Sequence, residues 1–305
     1  MRPALFLLVA VALLGAAPST AAEGEAREPA LAESFAGLGA WVSIFDDALW
    51  ARPERAVASM HVRGVRTLYL QSASSRPGPA VFRPDRTARF LRAAHVRGME
   101  VVAWYLPPYT APAYELRRAL GAVRYRSTEG DRFDAFALDI ETAPGSPDVP
   151  LRNRRLLRLS DGLRREVGDR YSLGAIIPSP HGLDQPHGRR WWPDFPYRRL
   201  RRIYDAFLPM GYYTYHGDGA RNAARDTRLN LEILRRETGD PAVPIHLIGG
   251  GSESSDLAEG RAFTRAVNRH GAIGASMYSH IGMGPEDWTA LEGLRFQDVG
   301  APPGA

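Results

Sequence analysis

Short apolar runs rich in β-branched and aromatic residues alternate along the chain with longer segments whose apolar positions recur at helical spacing. In one such segment Leu156, Leu159, Leu163 and Val167 fall on a single helix face. The strand-like runs are 41–45, 65–70, 99–106, 133–141, 171–177, 206–213, 243–249 and 273–279. The helix-like segments are about 53–63, 85–97, 112–124, 151–167, 195–204, 219–237, 256–270 and 286–293.

Eight strand–helix alternations match the element count and the length of a (β/α)8 barrel. A doubly wound parallel sheet is the competing architecture, but it needs fewer strands and normally a glycine-rich first turn. Here the first predicted strand ends in Phe45-Asp46-Asp47, and the sequence contains no GxGxxG. Because no linker interrupts the alternation, we predict an α/β protein with a single (β/α)8 TIM barrel over residues 39–296.

The two ends of the chain lie outside this pattern. Residues 1–22 have a short positive start, an apolar core over 5–14 and a small-residue end at Thr20-Ala21-Ala22. These features predict a cleaved signal peptide, because the apolar core is too short to span a membrane. We expect residues 23–38 to be an N-terminal linker and 297–305 a flexible C-terminal tail. We therefore predict that the protein is secreted and has no membrane anchor.

Composition excludes several kinds of chemistry. The 305 residues include no Cys, so there is no thiol nucleophile and no Cys-ligated zinc or iron–sulfur centre. There is no Lys for a Schiff base, and all 39 basic residues are Arg. They are scattered among 34 acidic residues along the helices, so the formal charge of +5 indicates solvated surfaces and no nucleic-acid partner.

The carboxyl ends of the strands are where barrels of this type carry their functional groups. Acids, aromatic rings and amides dominate those positions, a mixture that suits a neutral polyhydroxylated ligand such as a polysaccharide or oligosaccharide. The candidate substrate-binding residues there are Asp46, Gln71, Trp104, Tyr105, Met210, Tyr213 and Tyr278, with Asp47 beside the first of them. Trp191 and Trp192 lie in a long proline-rich loop, and we expect them to form a sugar-stacking lip over the barrel mouth.

The fourth predicted strand, residues 133–141, carries the most informative pattern. Strand alternation places Ala137, Asp139 and Glu141 on one face and bulky apolar residues on the other. Because the bulky face must pack on helices, both acids are predicted to point into the barrel mouth. Crowding would raise the pKa of one carboxyl, as a general acid near neutral pH requires. The alternative is a buried structural pair that bonds backbone amides or Arg.

This segment resembles family-18 glycoside hydrolases, the chitinase-like barrels, whose fourth strand carries Asp-x-x-Asp-x-Asp-x-Glu. Asp134, Asp139 and Glu141 match three of the four acids, and Ala137 replaces the second. The family's Met-x-Tyr-Asp resembles the chain from Met210 through Gly211 and Tyr212 to Tyr213, and Tyr278 stands where the family has Trp. The family's Ser-x-Gly-Gly on strand 3 is missing. The resemblance covers residues 39–296.

The resemblance implies a substrate-assisted glycosidase acting on an N-acetylated polysaccharide, an exception to the two-carboxylate scheme. Glu141 would be the general acid. Asp139 would orient the substrate's 2-acetamido group, whose carbonyl oxygen attacks, and Tyr212 would hydrogen-bond that same group. In the family, the acid missing at position 137 helps to cycle the proton of the Asp139 equivalent. Either Asp46 or Asp47 compensates, or the activity is altered or absent, which would leave an inactive glycan-binding barrel.

A second glycosidase family shares part of the strand-4 pattern. Family-25 lysozymes, which act on peptidoglycan, carry an Asp-x-Glu that Asp139-Ile140-Glu141 also satisfies, with a strand-1 acid where Asp46 lies. His181 and His187 flank the proline-rich loop, but their spacing matches no ligand motif, so we expect no metal.

We also expect no cofactor, and we expect the protein to be a monomer.

Overall fold

The computed structural model describes residues 29–251 and 255–299, and these form a closed barrel of eight parallel strands in sequence order. The predicted (β/α)8 barrel is thus confirmed, whereas the predicted signal peptide, residues 1–22, lies outside the described residues. The strands are β1 Gly37–Val42, β2 Thr67–Ala73, β3 Glu100–Tyr105, β4 Ala135–Asp139, β5 Ser172–Pro178, β6 Ala206–Met210, β7 His246–Gly251 and β8 Gly274–Tyr278.

Helices follow the strands and cover the outside of the barrel. They are α1 Asp47–Ala51, α2 Pro53–Val62, α3 Pro84–His95, α4 Pro112–Val123, α5 Val149–Val167, α6 Pro180–Asp184, α7 Pro186–Trp191, α8 Tyr197–Arg201, α9 Ala220–Thr238, α10 Leu257–His270 and α11 Pro285–Leu291. Short 3₁₀ helices occur at Pro29–Phe35, Tyr213–Tyr215 and His280–Gly282. None of the helices among the described residues has the length and apolar content needed to cross a bilayer.

Strand alternation separates two hydrophobic cores. On β4, Phe136 and Leu138 join the apolar layer between barrel and helices, whereas Ala135 and Ala137 face the barrel interior. The interior is filled by aliphatic side chains together with a few large aromatic rings, among them Trp41. Burial of both faces explains why the strands are almost continuously apolar. The carboxyl ends of the strands, where the filling stops, form the barrel mouth.

The amino end of the barrel is closed by residues that we predicted to be linker. The 3₁₀ helix Pro29–Phe35 precedes β1, which begins at Gly37, so the barrel starts earlier than residue 39. The Phe35 ring is fully buried, and a Cβ at Gly174 would lie 2.6 Å from it. The linker prediction was wrong for this part because burying Phe35 under the barrel stabilises an ordered segment.

The other end of the chain also continues past its predicted boundary. In the predicted tail, the Gln297 amide donates to the Ala272 carbonyl at 2.9 Å, and Val299 packs against the interior cluster. The first residues of the predicted tail are thus part of the barrel.

Candidate active site

Two carboxylates lie together at the carboxyl end of β4. Asp139 is the last residue of the strand and only 5% exposed, and its Oδ1 accepts no hydrogen bond from the described residues. Burial, and then the charge of Glu141, raises the pKa of Asp139 well above its ordinary value. Burial also raises the pKa of Glu141. The pair therefore retains a proton at pH values where exposed carboxyls are charged.

Aromatic rings form the floor beneath this pair. Trp41 stacks on Tyr69 with ring centroids 4.1 Å apart and meets Trp104 edge-on at 6.0 Å. Ala137 pairs with Trp104 across the β3–β4 ladder and belongs to the same interior cluster. The small side chain at 137 thus leaves room for the indole. An acid there would lie among desolvating rings.

Two tyrosines from other strands of the barrel lie close enough to the carboxylates to interact with their charges. The ring centroids of Tyr212, after β6, and Tyr278, on β8, lie 6.3 Å apart. Burial, and then the charge of Asp139, raises the pKa of Tyr212. Burial, and then the charges of Asp46 and Asp139, raises the pKa of Tyr278 to about 12. Both phenols therefore stay protonated and can donate hydrogen bonds at neutral pH.

Asp46 reaches the mouth from the loop after β1, whereas Asp47 does not. Asp46 is 7% exposed, its Oδ2 accepts from the Ser43 amide at 2.7 Å, and burial raises its pKa. Asp47 is exposed and pairs with Arg83 at 2.9 Å. Of these two acids, Asp46 is therefore the one that lies near the mouth.

Gln71 holds the loop after β1 in place and has little capacity left for a ligand. Its Oε1 accepts from the Ser43 hydroxyl at 3.2 Å and from the Ile44 amide at 3.0 Å. Its Nε2 donates to the Ala73 carbonyl at 3.3 Å. This buried amide joins β1 to β2, and its direct contact with substrate stays a prediction.

Tyr105 and Tyr213 point away from the barrel mouth. Tyr105 follows Trp104 on β3, so it faces the helices, where the Arg118 guanidinium lies 5.0 Å from its ring. Tyr213 is fully buried on the helix side, and its hydroxyl lies 2.7 Å from that of Ser255. Because β6 ends at Met210, alternation does not extend to Tyr213. Met210 itself packs against the interior cluster.

The two tryptophans of the predicted lip are not equivalent. Trp192 is 2% exposed, its Nε1 donates to Asn153 at 2.7 Å, and the Arg152 guanidinium lies 3.9 Å from its ring centroid. Trp191, on α7, is 38% exposed and meets Trp192 edge-on. Only Trp191 therefore offers an open ring to a ligand.

Asp134, the first acid of the motif, lies at the opposite end of the barrel from Asp139. Its Oδ2 accepts from the Val101 amide at 2.8 Å and lies 3.0 Å from His95 Nε2. It therefore joins β4 to β3 and α3 rather than lining the mouth.

A histidine–carboxylate cluster lies beyond the ends of β5 and β6. The Nδ1 atoms of His181 and His216 lie 2.6 and 2.7 Å from the same Asp226 Oδ1. His187, which the sequence suggested beside His181, is exposed on α7 and outside the cluster. The sequence missed this cluster because its three members lie on different elements, and we now identify it as a group able to hold a cation.

The sequence also missed Trp41 and Tyr69 as part of the site floor. Both are strand residues, but we predicted the first strand to begin at Trp41, whereas β1 runs over Gly37–Val42. The shift moves the Trp41 ring from the start of a strand to the interior, close to its carboxyl end.

The fold resembles that of several solved enzymes, although in sequence the chain matches no protein-family model and no curated protein. The Bacillus cereus spore cortex-lytic enzyme SleL superposes with a TM-score of 0.62 and 11% identity over 87% of this chain and 76% of that chain. A class V chitinase from Pseudomonas fluorescens Pf-5 gives 0.59 and 13%, with 85% of this chain and 99% of that chain covered. A chitinase from Rhizomucor miehei gives 0.59 and 14%, with the same coverages. At these identities the likeness shows that the chain shares the barrel fold of these enzymes.

Proposed function

We propose that this protein is a glycoside hydrolase that cleaves an N-acetylated polysaccharide, with Glu141 as the general acid. The observation that carries the proposal is the Asp139–Glu141 pair, whose pKa values are both raised by burial. A carboxyl that keeps its proton near neutral pH is what protonation of a glycosidic oxygen requires. The shared fold with two chitinases and a cortex-lytic enzyme supports the same reading.

The proposed reaction uses the substrate's own acetamido group as nucleophile. Glu141 donates its proton to the glycosidic oxygen, and the bond from that oxygen to the anomeric carbon breaks. The acetamido carbonyl oxygen bonds to the anomeric carbon, and water later opens the resulting ring with Glu141 accepting a proton. Asp139 orients the acetamido N–H and stabilises its positive charge, and the Tyr212 hydroxyl donates to the carbonyl oxygen.

Other residues of the mouth would bind the sugar rings. We propose that Trp104 and Tyr278 supply aromatic faces, that Met210 packs beside them, and that Asp46 accepts a hydrogen bond from a sugar hydroxyl. Trp191 would stack on a more distant sugar, since its ring is partly exposed. We also propose that the mature protein is secreted, on the basis of the signal-like residues 1–22; its monomeric state stays a prediction.

A second candidate function is an inactive barrel that binds glycans. The observation that favours it is Ala137, which stands in place of the acid that would relay a proton to Asp139 and is buried beside Trp104. Asp46 is the substitute that we propose at the mouth, since its charge helps to raise the pKa of Tyr278. Both functions share the same surface and differ only in turnover.

Release of new reducing ends distinguishes the two functions. We expect the parent protein to release reducing ends from chitin oligosaccharides or from peptidoglycan glycan strands, but not from a fully deacetylated chitosan of matched length. Glu141→Gln should abolish most of this release, and Glu129→Gln, a change on the exposed surface, should leave it intact. Glycan retention by the parent without any release of reducing ends would favour the binding barrel.

A further inference from the structure

The cluster of His181, His216 and Asp226 brings three metal-binding side chains together from separate parts of the chain. His181 lies on α6, His216 follows the 3₁₀ helix Tyr213–Tyr215, and Asp226 lies on α9. One ligand atom from each residue lies within 4.8 Å of the others. Both imidazoles present the same ring atom, Nδ1, to one carboxylate oxygen.

Neighbouring polar groups hold the carboxylate in this orientation. Asp226 is fully buried, and its Oδ2 accepts from Asn230 Nδ2 at 2.9 Å, which leaves Oδ1 facing the two rings. The Asn230 Oδ1 in turn accepts from the Ser179 hydroxyl at 2.8 Å and from the His181 amide at 3.1 Å. Outer hydrogen bonds that fix ligand orientation are a regular feature of protein metal sites.

We propose that His181, His216 and Asp226 bind one divalent first-row transition ion, of which Zn²⁺ is the representative. Two imidazole nitrogens and one carboxylate oxygen are donors that suit zinc and its neighbours, whereas Ca²⁺ and Mg²⁺ prefer oxygen ligands alone. Three protein ligands leave a fourth tetrahedral position for water. His216 is the most exposed of the three, so that position faces solvent.

Binding requires each imidazole nitrogen to move away from the Asp226 oxygen. The present N–O separations of 2.6 and 2.7 Å are those of hydrogen bonds. Ligand atoms of a tetrahedral zinc ion lie about 3.3 Å apart, given metal–ligand bonds near 2.0–2.1 Å. Each N–O separation must therefore lengthen by roughly 0.6 Å. His216 follows a short 3₁₀ helix and can supply this movement. Each neutral imidazole would bind the ion through Nδ1 and carry its proton on Nε2.

The proposed ion would fasten the segment that carries Tyr212. His216 lies four residues after Tyr212, and the ion would tie this segment to α6 and to the buried Asp226 of α9. The site is distinct from the Asp139–Glu141 pair, and the inference does not depend on glycosidase activity. Metal binding would stabilise the native protein, because an ion that binds only the folded state shifts the unfolding equilibrium.

Metal titration of the full chain, produced without a histidine tag and treated with EDTA, tests the proposal. We expect isothermal titration with Zn²⁺ to give one ion per chain, and Co²⁺ to give the absorption bands of a tetrahedral site. Zn²⁺ should also raise the Tm, and excess Mg²⁺ should not compete. His216→Ala should weaken Zn²⁺ affinity by at least about 10–100-fold, the size of effect seen even for outer-shell changes.

His187→Ala is the matched control, because His187 is exposed, close in sequence to His181 and outside the cluster. This variant should bind Zn²⁺ as the parent does. His216→Ala also removes the 2.7 Å contact with the buried Asp226, so we expect its metal-free Tm to fall slightly. Repeating the titration with His216→Gln, whose amide can still bond Asp226, separates loss of this contact from loss of the metal ligand. Absence of saturable binding in the parent, or parental affinity in both His216 variants, would overturn the proposal.

Discussion

Asp139 owes its raised pKa to its place at the end of an apolar strand. Removing a carboxylate from water is costly unless hydrogen bonds or opposite charges compensate. Its Oδ1 has no such partner among the described residues, and Glu141 adds repulsion. The folded protein therefore retains a proton on the Asp139–Glu141 pair that the unfolded chain has already released. This difference makes stability depend on pH.

Asp139→Asn should stabilise the protein at neutral pH. A raised pKa in the folded state means that the carboxyl's contribution to stability is fully present below its unfolded value near 3.8 and is lost as pH rises through the folded value. The amide cannot ionise, so it avoids this loss. The difference in Tm between variant and parent should grow from pH 4 upward. A difference that is flat with pH would show that Asp139 ionises without cost.

The two tryptophans of the predicted lip should respond differently to truncation. Trp192→Ala removes a buried ring and its hydrogen bond to Asn153, and should lower the free energy of unfolding by about 3–5 kcal/mol. Trp191→Ala should change stability little, and under the proposed function it should raise KM for long oligosaccharides. Chemical denaturation and steady-state kinetics measure both effects. Equal loss of stability in the two variants would contradict the assigned packing.

Residue-level reasoning from the sequence predicted the site only where alternation held. It placed Asp139 on the interior face, because Asp139 ends β4 and follows its alternation. Glu141 lies two residues beyond the strand, and the roles of both acids stay predictions. The same reasoning failed for Tyr105, whose side of β3 is opposite that of Trp104, and for Tyr213, which lies beyond the end of β6. Both errors come from treating every polar aromatic near a strand end as part of the mouth.

At the scale of single elements, β4 shows that the two ends of one strand have different tasks. Its carboxyl end carries the proposed catalytic pair, whereas Asp134 precedes the amino end and bonds the Val101 amide and His95. The hydrogen bond to Asp134 is the first cause that raises the pKa of His95. A motif acid can therefore be retained for stability alone.

Asp134→Ala should lower the free energy of unfolding of the barrel and leave the proposed hydrolysis reaction unchanged. Loss of a carboxylate that bonds a backbone amide and an imidazole should cost about 1–3 kcal/mol in the free energy of unfolding. The pKa of His95 should fall toward its ordinary value, which NMR titration can follow. We expect kcat to stay at the parental value when the protein is folded. A large loss of kcat in fully folded protein would place Asp134 in the reaction instead.

The long helices were predicted more accurately than most of the short ones. The 19-residue helices α5 and α9 were predicted nearly to their ends because several turns of apolar periodicity define them. Helices α1, α6 and α7 have only five or six residues, too few for a period to emerge, and were not predicted. Strand β1 begins earlier than predicted because the small residues of Gly37–Val42 form the part of the strand next to Phe35.

At the scale of the whole molecule, closure of the barrel depends on a segment that precedes the first strand. Phe35 fills the amino end, and its carbonyl oxygen lies 2.8 Å from Nδ1 of the buried His246 on β7. The sequence could predict eight units in order, but not that a polar-flanked segment would plug the barrel they form. The contact between Phe35 and His246 joins residues that are 211 positions apart in the sequence.

Phe35→Ala should therefore lower the stability of the entire barrel. Truncation of a fully buried phenylalanine costs about 3–5 kcal/mol through lost burial and the cavity that remains. The loss should appear as one cooperative shift in urea denaturation, because the ring contacts the shared interior. If residues 29–36 were a linker, as the sequence suggested, the variant would unfold at the parental denaturant concentration.

The central claim, that Glu141 is a general acid, is tested most directly by the kinetics of Glu141→Gln on a series of N-acetylated aryl glycosides with leaving groups of increasing acidity. General acid catalysis is worth about 10²–10⁴-fold, so kcat for the poorest leaving group should fall by that factor. The loss should shrink steadily as the leaving group needs less protonation. A kcat equal to the parent's for every substrate, or one uniform loss across the series in a folded protein, would contradict the assignment.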